Sequence, residues 1–546
     1  MKYAILLTAI FMALLMSSCS KEDAVLPPVI PKPNYMEKTR GVFNLKENQV
    51  IYYQADSLKA SAELLAGILN ESGNSFIVKN TNEPNKRGII IKMSDNEKDR
   101  DDSFEIQISK KTIAIKARNI EGVVYAISTM KQLAFFSRYS DNYIPCMAIK
   151  DYPRFHYRGM HLDVSRHFMP ADFIKKYIDY LFLFKFNYFH WHLVDDQGWR
   201  IEIKKYPLLT ETGSKRKETL KGHFSDKPLK YDNTTYQGFY SQDEIKEIVD
   251  YAQTRNITII PEIELPGHSQ AAIASYPFLG CTRDNVMVKT EWGISKYLYN
   301  LEDTTFSFLY GVFDEICDLF PGKYIHIGGD EAIKDQWRAS ARIQQQMQEL
   351  GINDEEGLQK YFIEKISDYL VKKNRHIIGW DEITEGGIPD SAVVMYWRWW
   401  NEKHDIPLIA ARQGHHIIMT PTFPLYFDYY QSKDKNEPLA IGGYTPLSAV
   451  YQYEPVPESF DSTLTPYVLG AQANVWTEYM KTPQQVEYMI FPRMMALSEV
   501  LWTENQKREP GEFLVRLSSF EPFLIKNNIN YCRHEFKQAY LPGDVQ

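Results

Sequence analysis

Eight short apolar segments after residue 153 constrain the fold of this chain more than any other feature. In chain order they span 157–165, 187–194, 257–264, 324–329, 376–380, 392–398, 416–420 and 468–476. Helical patterns separate them, at 170–184, 241–255, 304–320, 355–373, 407–413 and 483–501. Strands that alternate with helices form a parallel sheet, and eight of them close into a barrel. The sequence therefore predicts an α/β protein whose larger part is a (β/α)8 TIM barrel.

A smaller domain is predicted to precede the barrel, over residues 41–150. Strand patterns lie at 49–53, 88–93, 103–109 and 112–117, and helical patterns lie at 57–70 and 120–136. Phe104, Ile106 and Ile108 alternate with polar residues, as expected for a strand with one buried face. This region is predicted to be a small α+β domain, and residues 151–546 are predicted to hold the barrel and C-terminal helices.

The first forty residues are typical of an export signal followed by a tether. Lys2 precedes an apolar stretch over 4–16, which is short for a membrane span and suits a secretory signal. Small residues at 17 and 18 stand before Cys19, as in the lipobox of bacterial lipoproteins. The sequence thus predicts a signal peptide at 1–18, a lipidated Cys19 and a stiff Pro-rich linker at 19–40. An ordinary signal peptide with an incidental cysteine is the alternative.

This leader predicts an outer-membrane lipoprotein that faces the periplasm or the cell surface, with the membrane as a partner through Cys19. Residues 20–23 resemble the acidic tract of some Bacteroidetes-type surface lipoproteins. The net charge of −8 provides no basic footprint for nucleic acid, so that class of partner is not expected. Four further cysteines allow three disulfide connectivities and form no metal-binding pattern: Cys146, Cys281, Cys317 and Cys532.

Polar and tryptophan side chains collect at the C-terminal ends of the predicted strands, where barrels of this kind carry their active sites. The fourth strand ends in Asp330 and Glu331, two carboxyls that can take different protonation states in different environments. Read alone, this pair could also be a solvated helix start. Aromatic faces and carboxylates together suit a sugar, since rings stack and carboxylates accept hydroxyl protons.

Several long motifs resemble one family of enzymes. Residues 326–331, His-Ile-Gly-Gly-Asp-Glu, resemble the H-x-G-G-D-E signature of the family 20 glycoside hydrolases, the β-N-acetylhexosaminidases. The resemblance extends to residues 162–167, 190–199 and 261–268 and covers nearly all of the chain after the leader. It implies an exo-acting, retaining enzyme that removes terminal β-linked GlcNAc or GalNAc from glycans. It also implies an enzyme without metal or cofactor, and a reaction in which the substrate's own acetamido oxygen is the nucleophile.

The resemblance also implies residue roles. Glu331 is expected to be the general acid and base, Asp330 to orient the acetamido group, and Asp195 and His268 to support the acid by hydrogen bonds. Arg166 is expected to hold the 3- and 4-hydroxyls. The remaining substrate-binding residues are expected to be Trp380, Trp397, Tyr426, Asp428, Trp476 and Glu478. Asp428-Tyr429 stands where some members have Asn-Arg, a pair linked to 6-sulfated sugars, which favours a neutral terminal sugar.

Two other hypotheses remain for the same residues. His190-x-His192 could be a metal-binding pair, as in barrel hydrolases with histidines on the first strand. Alternatively, the chain could be a non-catalytic, glycan-binding surface lipoprotein, which would keep the tryptophans but would need no acid. The intact Asp330-Glu331 pair favours the enzyme.

Overall fold

The computed structural model describes residues 26–47, 49–71, 73–81, 87–94, 100, 102–400 and 405–539. The predicted signal peptide and Cys19 lie outside these residues. The chain forms two compact units, one that runs to Pro153 and includes 503–507, and one that comprises 154–502 and the residues from 508 onward. Among the described residues, no helix combines the length and the apolar character that crossing a membrane requires. The described cysteines at 146, 281, 317 and 532 are unpaired.

The N-terminal unit is a seven-stranded mixed sheet with two long helices packed on it. The helices are Lys59–Asn70 and Ile120–Ser137, with 3-10 turns at Asp56–Leu58 and Arg138–Ser140. The alternation predicted at Phe104, Ile106 and Ile108 is present, since all three are buried, and Ile113 and Ile115 on the next strand are buried as well. In spatial order the strands are Tyr35–Asn44, Tyr143–Asp151, Phe104–Ile108, Thr112–Ala117, Gly88–Met93, Val50–Tyr53 and Ile77–Asn80.

The linker predicted over 19–40 is wrong for its C-terminal part. Ile30 is buried, its backbone N–H donates to Gln132 Oε1 at 3.0 Å, and Gln132 Nε2 donates back to its carbonyl at 2.6 Å. Tyr35–Asn44 then pairs antiparallel with Tyr143–Asp151. This strand lies at the edge of the sheet, and residues 35–40 are mostly polar and exposed. Edge strands commonly carry such residues, so no apolar alternation marked it in the sequence.

The second unit contains a closed barrel of eight parallel strands, so the predicted TIM barrel is confirmed. We number these strands along the chain: Tyr157–Asp163, Tyr188–His192, Thr258–Leu265, Tyr324–Gly328, His376–Trp380, Val393–Tyr396, Ile417–Met419 and Val468–Ala473. Each strand lies within the segment predicted for it, except that the third ends one residue later, at Leu265. A cluster of buried apolar side chains in this unit includes Tyr157, Ile260 and Ile418.

Helices surround the barrel. Those after the strands are Ala171–Leu183, Gln242–Gln253, Asp303–Leu319, Glu355–Val371, Ile406–Arg412, Pro483–Ile490 and Arg493–Trp502. The last two were predicted as one helix over 483–501, but Pro492 lies between them and has no N–H to continue the helical hydrogen bonds. Two C-terminal helices follow, Pro510–Lys526 and His534–Ala539.

The connections after the second, third and seventh strands are long and carry short elements of their own. After the second strand these are Val194–Asp195, Gly198–Trp199, Leu208–Glu211, Lys215–Arg216, Leu220–Lys221, Lys230–Tyr231 and Tyr236–Gln237. The other short helical elements of the second unit, which follow later strands, are Gln270–Ser275, Pro277–Leu279, Asp335–Ala339, Ala341–Glu349, Asp381–Thr384, Thr422–Leu425, Leu447–Gln452 and Thr465–Tyr467. Asn505–Lys507 belongs to the N-terminal unit.

Candidate active site

The structure brings all eleven residues implied for the site together around one pocket of about 260 Å³. The pocket lies at the C-terminal ends of the barrel strands. The eleven residues are Arg166, Asp195, His268, Asp330, Glu331, Trp380, Trp397, Tyr426, Asp428, Trp476 and Glu478. Their placement follows from the barrel, because parallel strands deliver their C-terminal ends to one edge. The chemical roles of these residues stay predictions.

The two adjacent carboxyls that come after the fourth strand have different surroundings. The Glu331 side chain is 33% exposed, whereas that of Asp330 is 13% exposed. Glu331 adopts a left-handed φ of 48°, which few residues other than glycine take, so its backbone is strained. Burial raises the pKa of Asp330 to about 7; the carboxyls of Glu331 and Glu262 add to this effect, and His268 opposes it.

His268, in the loop after the third strand, links this pair to the rest of the pocket. Its Nε2 lies 3.4 Å from Glu331 Oε2 and 3.6 Å from Asp330 Oδ2, and its Nδ1 lies 3.1 Å from Asp195 Oδ1. Burial disfavours the charged ring, but the Asp195 carboxylate and the hydrogen bonds outweigh burial and raise the pKa of His268 well above its usual range. His268 is therefore a cation that faces Asp195 on one side and the Asp330–Glu331 pair on the other.

Asp195 lies between His268 and Arg166. Arg166 Nη2 forms an ion pair with Asp195 Oδ2 at 2.7 Å, and Arg166 Nε donates to Gln197 Oε1 at 3.0 Å. The guanidinium carbon lies 5.1 Å from the centre of the Trp476 ring. Burial favours the neutral form of Asp195, but Arg166 and His268 outweigh it and hold its pKa well below the usual range. Asp195 is therefore ionised and orients both cations.

Aromatic rings form the walls of the pocket. Trp380 is 1% exposed, and its Nε1 donates to Glu262 Oε1 at 2.9 Å. The ring of Trp476 lies 5.8 Å from that of Trp380. The rings of Trp397 and Tyr426 are nearly parallel, at 18° with centroids 6.3 Å apart. A small ring with apolar faces would be enclosed on several sides.

Two further carboxyls, those of Asp428 and Glu478, line the pocket. Asp428 is 6% exposed, and no described group forms a hydrogen bond with its buried Oδ1. Burial, aided by Glu478, raises the pKa of Asp428 well above its usual range. Burial also raises the pKa of Glu478, although Arg166 opposes this. A buried polar atom without a partner is costly, so Asp428 can gain from a ligand hydroxyl.

Sequence reasoning missed further residues that line the pocket and one that lies beneath it. The further lining residues come from the connections after the strands: Phe224, Trp292, Gly293, Ile294, Trp400, Thr422, Tyr429 and Ile441. Glu264 lies beneath the pocket and is 1% exposed. Neither of its carboxyl oxygens has a described hydrogen-bond partner. Burial, together with Asp330 and Glu262, raises the pKa of Glu264 well above its usual range. The period-two spacing of Glu262 and Glu264 on one strand was the signal for this pair.

The histidines considered as a metal pair lie in the barrel below the pocket. His190 Nε2 lies 3.0 Å from Glu262 Oε2, and its Nδ1 lies 3.0 Å from Gln472 Nε2. His192 contacts Glu262 through Nδ1 and lies 2.9 Å from Asp195 Oδ2 through Nε2. His161, His190 and Glu262 have donor atoms within 4.8 Å of one another. Because both ring nitrogens of His190 and His192 already face polar partners, the geometry favours a hydrogen-bonded core.

Comparison with known families and relatives agrees with this geometry. The family model described as "Glycosyl hydrolase family 20, catalytic domain" matches residues 155–505, and "Glycosyl hydrolase family 20, domain 2" matches residues 26–152. The chain is 41% identical over 512 residues to a beta-hexosaminidase of Porphyromonas gingivalis, covering 92% of this chain and 64% of that protein, which is less than two thirds of its length. It is 35% identical to a beta-hexosaminidase of Vibrio furnissii, covering 87% of this chain and 76% of that protein.

Solved structures give the same relationship. The GH20 exo beta-N-acetylglucosaminidase of Vibrio harveyi, in complex with N-acetylglucosamine, superposes with a TM-score of 0.80 at 32% identity, covering 94% of this chain and 80% of that one. A beta-N-acetylhexosaminidase of Bacteroides fragilis gives 0.78 at 30% identity, covering 92% and 96%. With the catalytic-domain model matched across the whole barrel, this chain belongs to glycosyl hydrolase family 20.

Proposed function

We propose that the protein is an exo-acting β-N-acetylhexosaminidase that releases terminal β-linked GlcNAc or GalNAc from glycans with retention of configuration. The observation that carries this proposal is the Asp330–Glu331 pair beside an aromatic pocket that is closed at its base by Trp380. A closed base accepts the end of a glycan chain rather than its middle. The beta-hexosaminidase relatives and the Vibrio harveyi complex with N-acetylglucosamine support this function.

The reaction that suits these residues uses the substrate as its own nucleophile. Glu331 protonates the glycosidic oxygen, while the 2-acetamido oxygen attacks the anomeric carbon and the bond to the leaving sugar breaks. Asp330 accepts a hydrogen bond from the acetamido N–H and stabilises the positive charge of the oxazolinium intermediate. Glu331, now a carboxylate, takes a proton from water, whose oxygen attacks the anomeric carbon and opens the ring of the intermediate. Two inversions give the retained product.

Replacing the acid tests the first step. We expect Glu331→Gln to lower kcat for an aryl β-N-acetylglucosaminide by at least about 100-fold, because general acid–base catalysis contributes roughly 10²–10⁴. Glu356→Gln, which changes a carboxyl that is 42% exposed and pairs with Lys334, is the matched control and should keep full activity. Unchanged turnover in Glu331→Gln would refute the acid assignment. A wild-type protein that binds but does not cleave N-acetylhexosamine glycans would favour the glycan-binding alternative.

Changing the acetamido group tests substrate assistance separately. An aryl glycoside that carries a trifluoroacetamido group should react far more slowly, since fluorine withdraws electrons from the attacking carbonyl oxygen. An aryl β-glucoside without any acetamido group should not be cleaved. NMR of the first-formed product should show the β anomer. Equal rates for the acetamido and trifluoroacetamido substrates would contradict the mechanism and leave the hydrolase activity standing.

We further propose that the chain is exported and acylated at Cys19, as an outer-membrane lipoprotein. The proposal rests on the apolar stretch over 4–16 and the small residues before Cys19. Cells fed a labelled fatty acid should incorporate it into the wild-type protein and not into Cys19→Ser. Protease digestion of intact cells then distinguishes a surface protein from a periplasmic one. Incorporation that persists in Cys19→Ser would overturn the site.

A further inference from the structure

A line of buried charged groups runs from the barrel interior to the predicted acid. It begins at Glu262 on the third strand, passes through His192 at the end of the second strand, and continues through Asp195 and His268 to Glu331. Glu262 and His192 are fully buried and do not line the pocket. They therefore have no direct contact with a substrate, yet they are joined to residues that line the site.

Both carboxylates beside His192 accept hydrogen bonds from other groups. Asp195 faces Arg166 Nη2 at 2.7 Å and His268 Nδ1 at 3.1 Å, and it also accepts the backbone N–H of Asp196. Glu262 accepts Trp380 Nε1 at 2.9 Å. The Arg166 and His268 cations favour the carboxylate form of Asp195, and the Trp380 N–H occupies Oε1 of Glu262, which leaves Oε2 to face the His192 ring.

His190 also faces Glu262 with a ring nitrogen. Tyr157 donates its hydroxyl to Gln472 Oε1 at 2.7 Å, which orients the amide so that Gln472 Nε2 faces His190 Nδ1 at 3.0 Å. His190 Nδ1 therefore accepts, and its proton resides on Nε2, which lies 3.0 Å from Glu262 Oε2. The oxygens that face His192, Glu262 Oε2 and Asp195 Oδ2, are therefore placed as acceptors.

The valence of the ring then determines the charge of His192. Its Nδ1 contacts Glu262 Oε2 and its Nε2 lies 2.9 Å from Asp195 Oδ2, so both nitrogens must donate. We propose that His192 is a buried imidazolium that joins Glu262 to Asp195, and that Glu262 and His192 are positioning residues for the reaction. Through Asp195 they orient Arg166 and His268, and Glu262 also accepts the hydrogen bond that orients the Trp380 ring in the pocket wall. This role rests on the proposed hydrolase function.

The groups around His192 agree with a cation at this position. Glu264 Oε1 lies 3.9 Å from its Nδ1, and Asp163 on the first strand pairs with it in register. Burial disfavours the charged ring, but Glu262 and the two hydrogen bonds outweigh burial and raise the pKa of His192 to about 10. Its histidine neighbours differ. Burial lowers the pKa of His190 to about 4 and that of His161 well below its usual range. His326 and Arg166 are the other basic groups near these carboxylates.

The protonation state can be measured directly in the wild-type protein. In protein labelled with 15N-histidine, the signals that disappear in His192→Asn identify this ring among the 13 histidines. We expect both ring nitrogens of His192 to carry protons from pH 6 to pH 9. A neutral tautomer at pH 7 would overturn the proposal. This measurement does not depend on hydrolysis. The predicted charge of His192 can therefore be wrong while the hydrolase activity is right, and the hydrolase activity can be absent while His192 is charged.

Kinetics test the positioning role. We expect His192→Asn and Glu262→Gln to lower kcat/KM for the aryl substrate by roughly 10- to 100-fold, a range seen when second-layer partners are removed. In His192→Asn, loss of the cation should raise the pKa of Asp195, so the acidic limb of the kcat/KM profile should move up by about one pH unit.

His161→Asn is the matched control for these variants. His161 is equally buried, and its Nδ1 accepts the Val475 N–H, but it contacts neither Glu262 nor Asp195 by an ion pair. We expect this variant to lose thermal stability and to keep the position of the acidic limb. A His192→Asn enzyme whose acidic limb stays at the wild-type pH, with loss of stability alone, would show that His192 is merely structural.

Discussion

Asp330 destabilises the fold at neutral pH, because its carboxyl is buried beside two other acidic groups. Its pKa of about 7 lies above the ordinary value of 3.8. Between these two values the folded chain keeps the proton and the unfolded chain has released it. Stability therefore falls as pH rises from about 4 to about 7. A substrate that develops positive charge beside Asp330 would favour its ionised form, which is the form that the proposed mechanism requires.

This linkage predicts a gain of stability on removing the charge. We expect Asp330→Asn to raise the free energy of unfolding at pH 7.5 by on the order of 1–2 kcal/mol, and to have little effect near pH 4. Thermal unfolding of both proteins at the two pH values measures the difference. Asp335→Asn, at a carboxyl that is 77% exposed, is the control and should leave the free energy of unfolding unchanged at both pH values. A variant that is less stable than wild type at pH 7.5 would contradict the prediction.

Among the elements, the turn that ends the fourth strand depends on glycine. Gly328 has a left-handed φ of 69°, and a Cβ built there would lie 1.8 Å from Glu264 Oε2. The buried Glu264 side chain thus occupies the space that only glycine leaves open. This close approach brings the third and fourth strands together where the predicted acid begins.

A matched pair of variants separates space from backbone strain. Gly351 has nearly the same φ, 70°, with nothing within 4 Å of a built Cβ. We expect Gly351→Ala to cost about 1 kcal/mol from the backbone alone, and Gly328→Ala to cost at least about 3 kcal/mol and most of the activity. Urea unfolding and the aryl substrate assay measure both. Equal losses in the two variants would mean that the contact with Glu264 is unimportant.

The loops at the pocket mouth are suited to contact a second sugar. Trp400, in the loop after the sixth strand, is 51% exposed and packs edge-on against Trp397 at 5.2 Å. Phe224 and Ile294, each 45% exposed, line the mouth from the loops after the second and third strands. In the proposed function the terminal sugar binds at the base of the pocket. The exposed side chains of Trp400, Phe224 and Ile294 are therefore placed to contact the next sugar of the glycan.

We therefore expect Trp400→Ala to raise KM for an N-acetylglucosamine trisaccharide by about 5- to 10-fold, near the value of one aromatic contact. KM for the aryl substrate should change less, because it lacks a second sugar. Trp399→Ala is the control, since Trp399 is also 51% exposed but does not line the pocket and packs near Phe423 at 6.2 Å. Equal effects on both substrates would count against a role for Trp400 beyond the terminal sugar.

At the scale of the whole molecule, the N-terminal unit begins earlier than the sequence patterns indicate. Asn34 N–H donates to Asp151 Oδ1 at 2.9 Å, and Ile30 is bonded to Gln132 in both directions. We expect a chain that starts at residue 26 to unfold at the same temperature as the full-length protein. A chain that starts at residue 35 should unfold several degrees lower, because it loses the two buried hydrogen bonds between Ile30 and Gln132. Calorimetry of the two chains is the measurement, and identical unfolding temperatures would contradict the role of residues 26–34.

Much of the fold and of the site could be predicted from the sequence. The eight barrel strands have apolar runs of their own, and parallel strands must end at one edge, so Asp195, His268 and Glu331 could be placed together without coordinates. The strand Tyr35–Asn44 could not, because its polar residues carry no alternation. Trp400 and Phe224 could not either, since the position of a long loop depends on the surface beneath it.

By itself, the sequence determined the barrel, the order of its strands and the chemical groups at their ends, because these depend on patterns within a few neighbouring residues. Only the tertiary structure decided the surroundings of each group. It buries Asp330 more than Glu331 and brings Glu262 to Trp380, 118 residues further along the chain. It also places His192 between two carboxylates. Protonation and hydrogen bonding depend on distances between atoms far apart in sequence, and only the folded barrel sets those distances.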